Sequence, residues 1–184
     1  FRFVHRLPGR KILLKGNHDF WWNSLKKTAE FWQENDIHTL SLLQNDCAEV
    51  DGAVICGARG WFFSDAQQYS EKIAKREVLR LELSLQAAAE KTGERIVFLH
   101  FPPVLGDKVC EPLVELMERF DVRRCFYGHL HGYAAVTAFR GTCRGIAFTP
   151  VSADYLHFTP VKIEIYQFCH KKYWQTCILC AIII

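Results

Sequence analysis

The stretch Arg95-Ile96-Val97-Phe98-Leu99-His100-Phe101-Pro102-Pro103 decides how the chain is read. Ile96 to Leu99 are apolar without alternation, the pattern of a strand buried on both faces of a sheet. The two prolines stop such a strand at once, because they cannot donate to a sheet ladder. His100 is thereby left at the strand's carboxyl end.

Working outward, the same arrangement recurs twice. Arg124-Cys125-Phe126-Tyr127 reads as a strand running into Gly128-His129-Leu130-His131, and Lys11-Leu14 reads as a strand running into Gly16-Asn17-His18-Asp19. In layered α/β folds ligands collect beyond the carboxyl ends of strands, so three loops far apart in sequence are expected to converge. Gly16 and Gly128 allow the sharp turns that bring the next side chain inward.

The intervening sequence supplies the packing elements. Asn23 or Ser24 caps an expected helix through about Gln33, on which Leu25, Ala29 and Trp32 recur at helical spacing. Asp51-Gly52 between Ala48-Val50 and Ala53-Cys56 predicts a two-residue hairpin. Ala58 to Phe63 reads as a loop, and Ser64 or Asp65 caps a long helix to about Lys91. Its Ala74, Val78, Leu81, Leu85 and Ala88 form an apolar stripe. A further helix is expected over Pro112-Phe120, and short strands without helical periodicity from Tyr133 to Ile165. The expected class is α/β, a layered β-sandwich flanked by helices.

With 184 residues, half of them apolar, the chain can bury one substantial core. Its formal charge of +3 gives no field that would by itself recruit nucleic acid or a membrane. Eight scattered cysteines behind a start that is not a signal peptide fit a reducing, cytoplasmic setting better than a disulfide scaffold. Cys177 and Cys180 have CxxC spacing but no second pair, so no zinc site is expected there. Ile178 to Ile184 is apolar yet far shorter than the ~20 residues of a membrane span. Residues 1–168 are therefore expected to form the domain, and 169–184, with Cys169, His170 and Trp174, an apolar tail foreign to it.

Imidazoles together with an asparagine carbonyl suit a hydrolytic divalent ion better than a structural thiolate site. If His129-Leu130-His131 is extended, both imidazoles face one side and Leu130 faces the protein. His5, His38, His157 and His170 lack strand-end placement and read as ordinary surface or core residues.

The order GNHD, then histidine followed by Phe-Pro-Pro, then GHLH, resembles the calcineurin-like metallophosphoesterase superfamily. The likeness extends to a bacterial-type group of predicted phosphohydrolases through Leu13-Asp19 followed by Trp21-Trp22, the Gly57-Ala58-Arg59-Gly60-Trp61 loop, and Val151-Ser152-Ala153-Asp154-Tyr155-Leu156. It covers about Leu7 to Ile165. The resemblance implies a metallophosphoesterase-like fold and hydrolysis of phosphate mono- or diesters with two divalent metal ions (Mn, Fe or Zn).

Residue by residue, the resemblance implies that Asn17, His100 and His129 ligate one metal and His131 the other. It implies that His18 contacts the phosphate and protonates the leaving oxygen, with Asp19 holding its ring. Arg59 is a candidate phosphate clamp through its planar donor fork, against the alternative of a solvated loop arginine.

The superfamily opens with Asp-x-His and Gly-Asp motifs, and neither occurs before Gly16. The chain is therefore expected to be an amino-terminally truncated fragment that lacks the first strands and the bridging carboxylate. Weak metal binding and little turnover follow. The alternative is a degenerate, non-catalytic domain that binds a partner or nucleotide through the same pocket.

Overall fold

The computed structural model describes residues 1–19, 24–62, 71–166 and 176–181. The chain begins with the short helix α1 (Arg2–Arg6) and strand β1 (Lys11–Leu13), followed by helix α2 (Leu25–Glu34) and strand β2 (Leu40–Leu42). Ser24 is the residue that caps α2, its side chain accepting from the Lys27 N–H. β1 and β2 pair in parallel, and the pairing continues through Leu43 N–H to the Leu13 carbonyl at 2.9 Å.

Strands β3 (Cys47–Val50) and β4 (Ala53–Ala58) form the expected hairpin. Asp51 and Gly52 both have positive φ, 47° and 87°, which is what a two-residue turn matched to strand twist requires. Helix α3 (Glu71–Ala87) leads to strand β5 (Glu94–Leu99). The expected caps Ser64 and Asp65 lie outside the described residues, as do Trp21, Trp22 and His170. α3 stops before Lys91 because Ala88, Ala89 and Lys91 donate three residues back, tightening the chain into turns.

The short strands β6 (Val104–Leu105) and β7 (Lys108–Val109) precede helix α4 (Glu111–Arg119) and strand β8 (Arg124–Tyr127). Next come helix α5 (Tyr133–Val136), strands β9 (Gly141–Cys143) and β10 (Ile146–Pro150), and the antiparallel pair β11 (Val161–Tyr166) and β12 (Thr176–Ala181). α5 corrects the expectation of strands alone after Tyr133. A single helical turn is too short to leave a periodic signal. β12 lies within the segment read as a foreign tail, and its backbone completes a pair with β11.

The central sheet has six strands in the order β3-β4-β5-β8-β10-β9, with its four inner strands parallel and both edges antiparallel. Alternation along these strands sends side chains to two different cores. Val54, Cys56, Val97, Leu99, Cys125 and Tyr127 pack with Leu81 and Leu85 of α3 and Leu113 and Met117 of α4. Ala53, Ile55, Ile96 and Phe126 pack instead with Ile12, Leu14, Ile163 and Ile165. A third cluster joins Trp32 of α2 and Val4 of α1 to Leu13, Leu40 and Leu42. The layers thus run helix, sheet, strand pairs, helix, the flanked sandwich expected. Each fully buried Leu of these cores is worth ~1.5–3 kcal/mol relative to exposure.

What positions the site is the register of the inner strands. Ala58 lies beside Leu99, Leu99 beside Tyr127, and Tyr127 beside Pro150. Four parallel strands therefore end in one row. The ladder continues one step beyond it, through Phe101 N–H to the Arg59 carbonyl at 2.9 Å, Gly128 N–H to His100 at 3.2 Å, and Val151 N–H to Tyr127 at 2.7 Å. Arg59, His100 and Gly128 consequently emerge side by side at one edge.

Candidate metal centre

At that edge the Asn17 side-chain oxygen lies 2.7 Å from His100 Nε2, and His129 Nδ1 lies 3.2 Å from the same nitrogen. Residues 83 and 29 positions apart in the chain have met as their strand ends predicted. His100 is 4% exposed and His129 is half-buried. Phe101 backs the cluster, its ring centroid 4.1 Å from that of His129, and stacks on Trp61 from the other side at 5.5 Å.

Gly16 is required by this closeness rather than by its own backbone angle. A β-carbon there would stand 3.0 Å from His100 Cε1 and 3.1 Å from Nδ1. The Gly16 N–H donates to the Asp19 carboxylate at 2.6 Å, which closes the GNHD turn. Asp19 thereby shapes the loop that presents Asn17, while His18 is exposed. His18 still lies near enough that its charge helps disfavour protonation of both His100 and His129.

Burial is the main cause that lowers the pKa of His100 to about 3, with His129, Arg59, His18 and His131 adding in that order. His129 is shifted down for the same first reason, then by His131 and His18. Both imidazoles are thus kept in the neutral, lone-pair form that binds metal. His100 Nδ1 is buried with no hydrogen-bond partner. Two neutral imidazoles and an amide oxygen crowded on one point, the Nε2 face of His100, fit a divalent cation. Among the described residues no three His, Cys, Asp or Glu side chains converge, so the cluster depends on the asparagine as its third donor.

The extended reading of His129-Leu130-His131 is corrected. His129 has φ 69°, and Leu130 N–H donates to the Gly128 carbonyl at 2.9 Å, so the histidine sits at the centre of a γ-turn. Such a conformation costs about 1–3 kcal/mol and persists only where the surroundings impose it. Gly128 continues the ladder while Leu130 is held against the first core, so the two imidazoles are splayed by the turn between them. His131 is exposed, with Nδ1 3.3 Å from the Asp154 carboxylate.

Asp154 is the residue that motif reading passed over. It also accepts the Gly132 N–H at 2.8 Å and its neighbour's N–H at 2.9 Å. The Gly132 N–H is the first cause holding its carboxyl below the usual range. Its signal was present, since Asp154 lies in the loop that follows strand β10 and in the Val151–Leu156 stretch that carries the resemblance. Glu77 was missed similarly. It occupies the apolar stripe of α3, is fully buried, and lies 3.3 Å from Arg59 Nη2. Arg59 is therefore no solvated loop residue: its guanidinium is tied to Glu77 and lies 5.2 Å from the Trp61 ring centroid.

A calcineurin-like phosphoesterase family model matches residues 1–133, most of the chain and all three loops. The chain belongs to the calcineurin-like phosphoesterases. No curated protein and no solved structure matches it. Membership makes metal-dependent phosphoester hydrolysis the chemistry of its family, which generally uses two divalent ions. Among the described residues no helix of this phosphoesterase chain is long and apolar enough to cross a membrane.

Proposed function

We propose that this site hydrolyses phosphate esters, with Asn17, His100 and His129 holding one divalent ion and His131 a second. The observation that carries the reading is the convergence of the Asn17 oxygen and two neutral imidazoles on one buried point. Ions held there would supply an activated water and offset the charge of the phosphoryl oxygens. Asp154 orients His131 through Nδ1, leaving Nε2 for metal, as a carboxylate behind a ligating histidine does. His18, exposed on the GNHD loop that Asp19 closes, would donate a proton to the leaving oxygen. The substrate is a phosphate mono- or diester in the cytoplasm, a setting that suits the free Cys47, Cys56, Cys110, Cys125 and Cys143.

One observation favours the second reading, a metal-binding domain without turnover: the three donors gathered at His100 Nε2 are all neutral. Three neutral donors leave the charge of a divalent ion uncompensated by its protein ligands. Metal titration and aryl phosphate hydrolysis, measured on the chain and on His18→Ala and His100→Ala, separate the two. Manganese-, iron- or zinc-dependent turnover is expected, lost with metal binding in His100→Ala and reduced ~10²–10⁴-fold with metal retained in His18→Ala. Metal binding without any hydrolysis would establish the second reading.

A further inference from the structure

Beside the histidine cluster lies a concavity of about 290 Å³ that the hydrolytic residues leave unused. It is near the lower end of small-ligand pockets, roughly 300–1,000 Å³. One wall is Leu14 and Lys15 leaving β1, another is Gly57 to Arg59 leaving β4, and a third is the face of α3 that carries Arg76 and Arg80. Four cationic side chains line it, and among the described residues no acidic one does.

The carboxylate that pairs with the arginines of this cavity is the buried Glu77. Glu77 Oε1 is 2.8 Å from Arg80 Nη1, 3.3 Å from Arg59 Nη2 and 3.7 Å from Arg76 Nε. A structural ion-pair hub would be satisfied by Arg80 and Arg59 alone. Arg76 is half-exposed and at a separation that adds little to stability. With Lys15 it leaves the cluster with a positive excess that faces the cavity.

Two lining residues of the cavity, Lys15 and Arg59, adjoin the candidate centre. Lys15 precedes Gly16, whose missing side chain leaves room for the His100 ring, and the Arg59 carbonyl accepts from the residue after His100. A phosphoryl group at the histidines and a second anionic group in the cavity can therefore belong to one molecule. A phosphate monoester carries about −1.5 to −2 charge near neutral pH, so a lone phosphate at the histidines would leave these cations uncompensated.

We propose that the cleft of Lys15, Arg59, Arg76 and Arg80 binds a second phosphoryl group, so that the preferred ligand carries two linked phosphoryl groups. That this ligand is a substrate rests on the hydrolytic reading; the anion site itself does not. Guanidinium forks bind phosphate oxygens bidentately, and Glu77 holds two of the forks in place before the ligand arrives.

Calorimetric titration of the full, metal-stripped chain with pyrophosphate and with inorganic phosphate tests the site apart from catalysis. Pyrophosphate is expected to bind at least about tenfold more tightly than phosphate, and each of Lys15→Gln and Arg76→Gln to weaken it about tenfold, the loss of one charge-assisted contact. Added salt is expected to weaken it further. Lys108→Gln, an exposed lysine of β7 outside the cleft, is expected to change nothing. Absence of pyrophosphate binding, equal binding of phosphate, or affinity unchanged in both cleft variants would overturn the proposal. Failure of ester hydrolysis in the metal-loaded chain would count against the hydrolytic reading and leave this result standing.

Discussion

Acidifying the metal-free chain from pH 7 to pH 5 is expected to destabilise it through His100 specifically. The ring is 4% exposed, and its pKa falls from 6.5 to about 3 on folding, first because burial penalises the imidazolium. A depressed folded pKa means that the unfolded chain binds more protons below 6.5. Stability from this group is therefore fully present above 6.5 and is lost as pH falls towards 3. Linkage puts the loss at pH 5 at ~2 kcal/mol, and near ~5 kcal/mol once both states are protonated. His129 is shifted in the same direction and adds to the loss.

The measurement is the urea midpoint of the EDTA-treated chain and of His100→Gln at both pH values. Other titrating groups act in both proteins, so the difference between the two pH losses isolates His100. The variant is expected to lose ~2 kcal/mol less than the parent between pH 7 and pH 5. Equal losses, or a parent more stable at pH 5, would refute the claim that His100 is held neutral by burial. Saturating metal should protect the parent by ~4 kcal/mol at a thousandfold excess over Kd and leave the variant unprotected.

Three further outcomes follow from the geometry. Gly16→Ala should weaken metal binding ~10–100-fold, read by manganese or zinc titration, because its β-carbon would displace the His100 ring. Gly57→Ala should destabilise the fold by ~3 kcal/mol in denaturant melts, since a β-carbon would stand 2.4 Å from the Phe98 carbonyl oxygen, a backbone atom that cannot step aside. Asp154→Ala should weaken the second metal equivalent ~10–100-fold while sparing the first, as expected if it orients only His131.

Most of the fold was legible because its inner strands are buried on both faces. Ile96-Val97-Phe98-Leu99 and Cys125-Phe126-Tyr127 have no polar position to blur the signal, and the hairpin at Asp51-Gly52 was specified by the only residue types that take positive φ cheaply. α5 was illegible for a physical reason. Its single turn, Tyr133–Val136, is fixed by position after the GHLH loop rather than by an apolar stripe, and three of its four residues are exposed.

The site was legible to the extent that it is written as strand ends. His100 and His129 could be foreseen because each follows a strand of the central sheet, whose register sets Leu99 beside Tyr127, and Asn17 because its loop follows β1 of the neighbouring strand pair. Residues that act across elements are invisible to that reasoning. Glu77 gains its meaning only when α3 packs it against Arg59, and Asp154 only when its loop brings it to His131. Even the His129 γ-turn follows from this distinction. Alternation describes a residue inside a ladder, and His129 lies one step beyond the ladder, where the grip of Gly128 on His100 and of Leu130 on the core sets the backbone instead. The same grip splits HxH between two environments, one imidazole half-buried beside His100 and one exposed beside a carboxylate. That division is what two inequivalent metal positions would require.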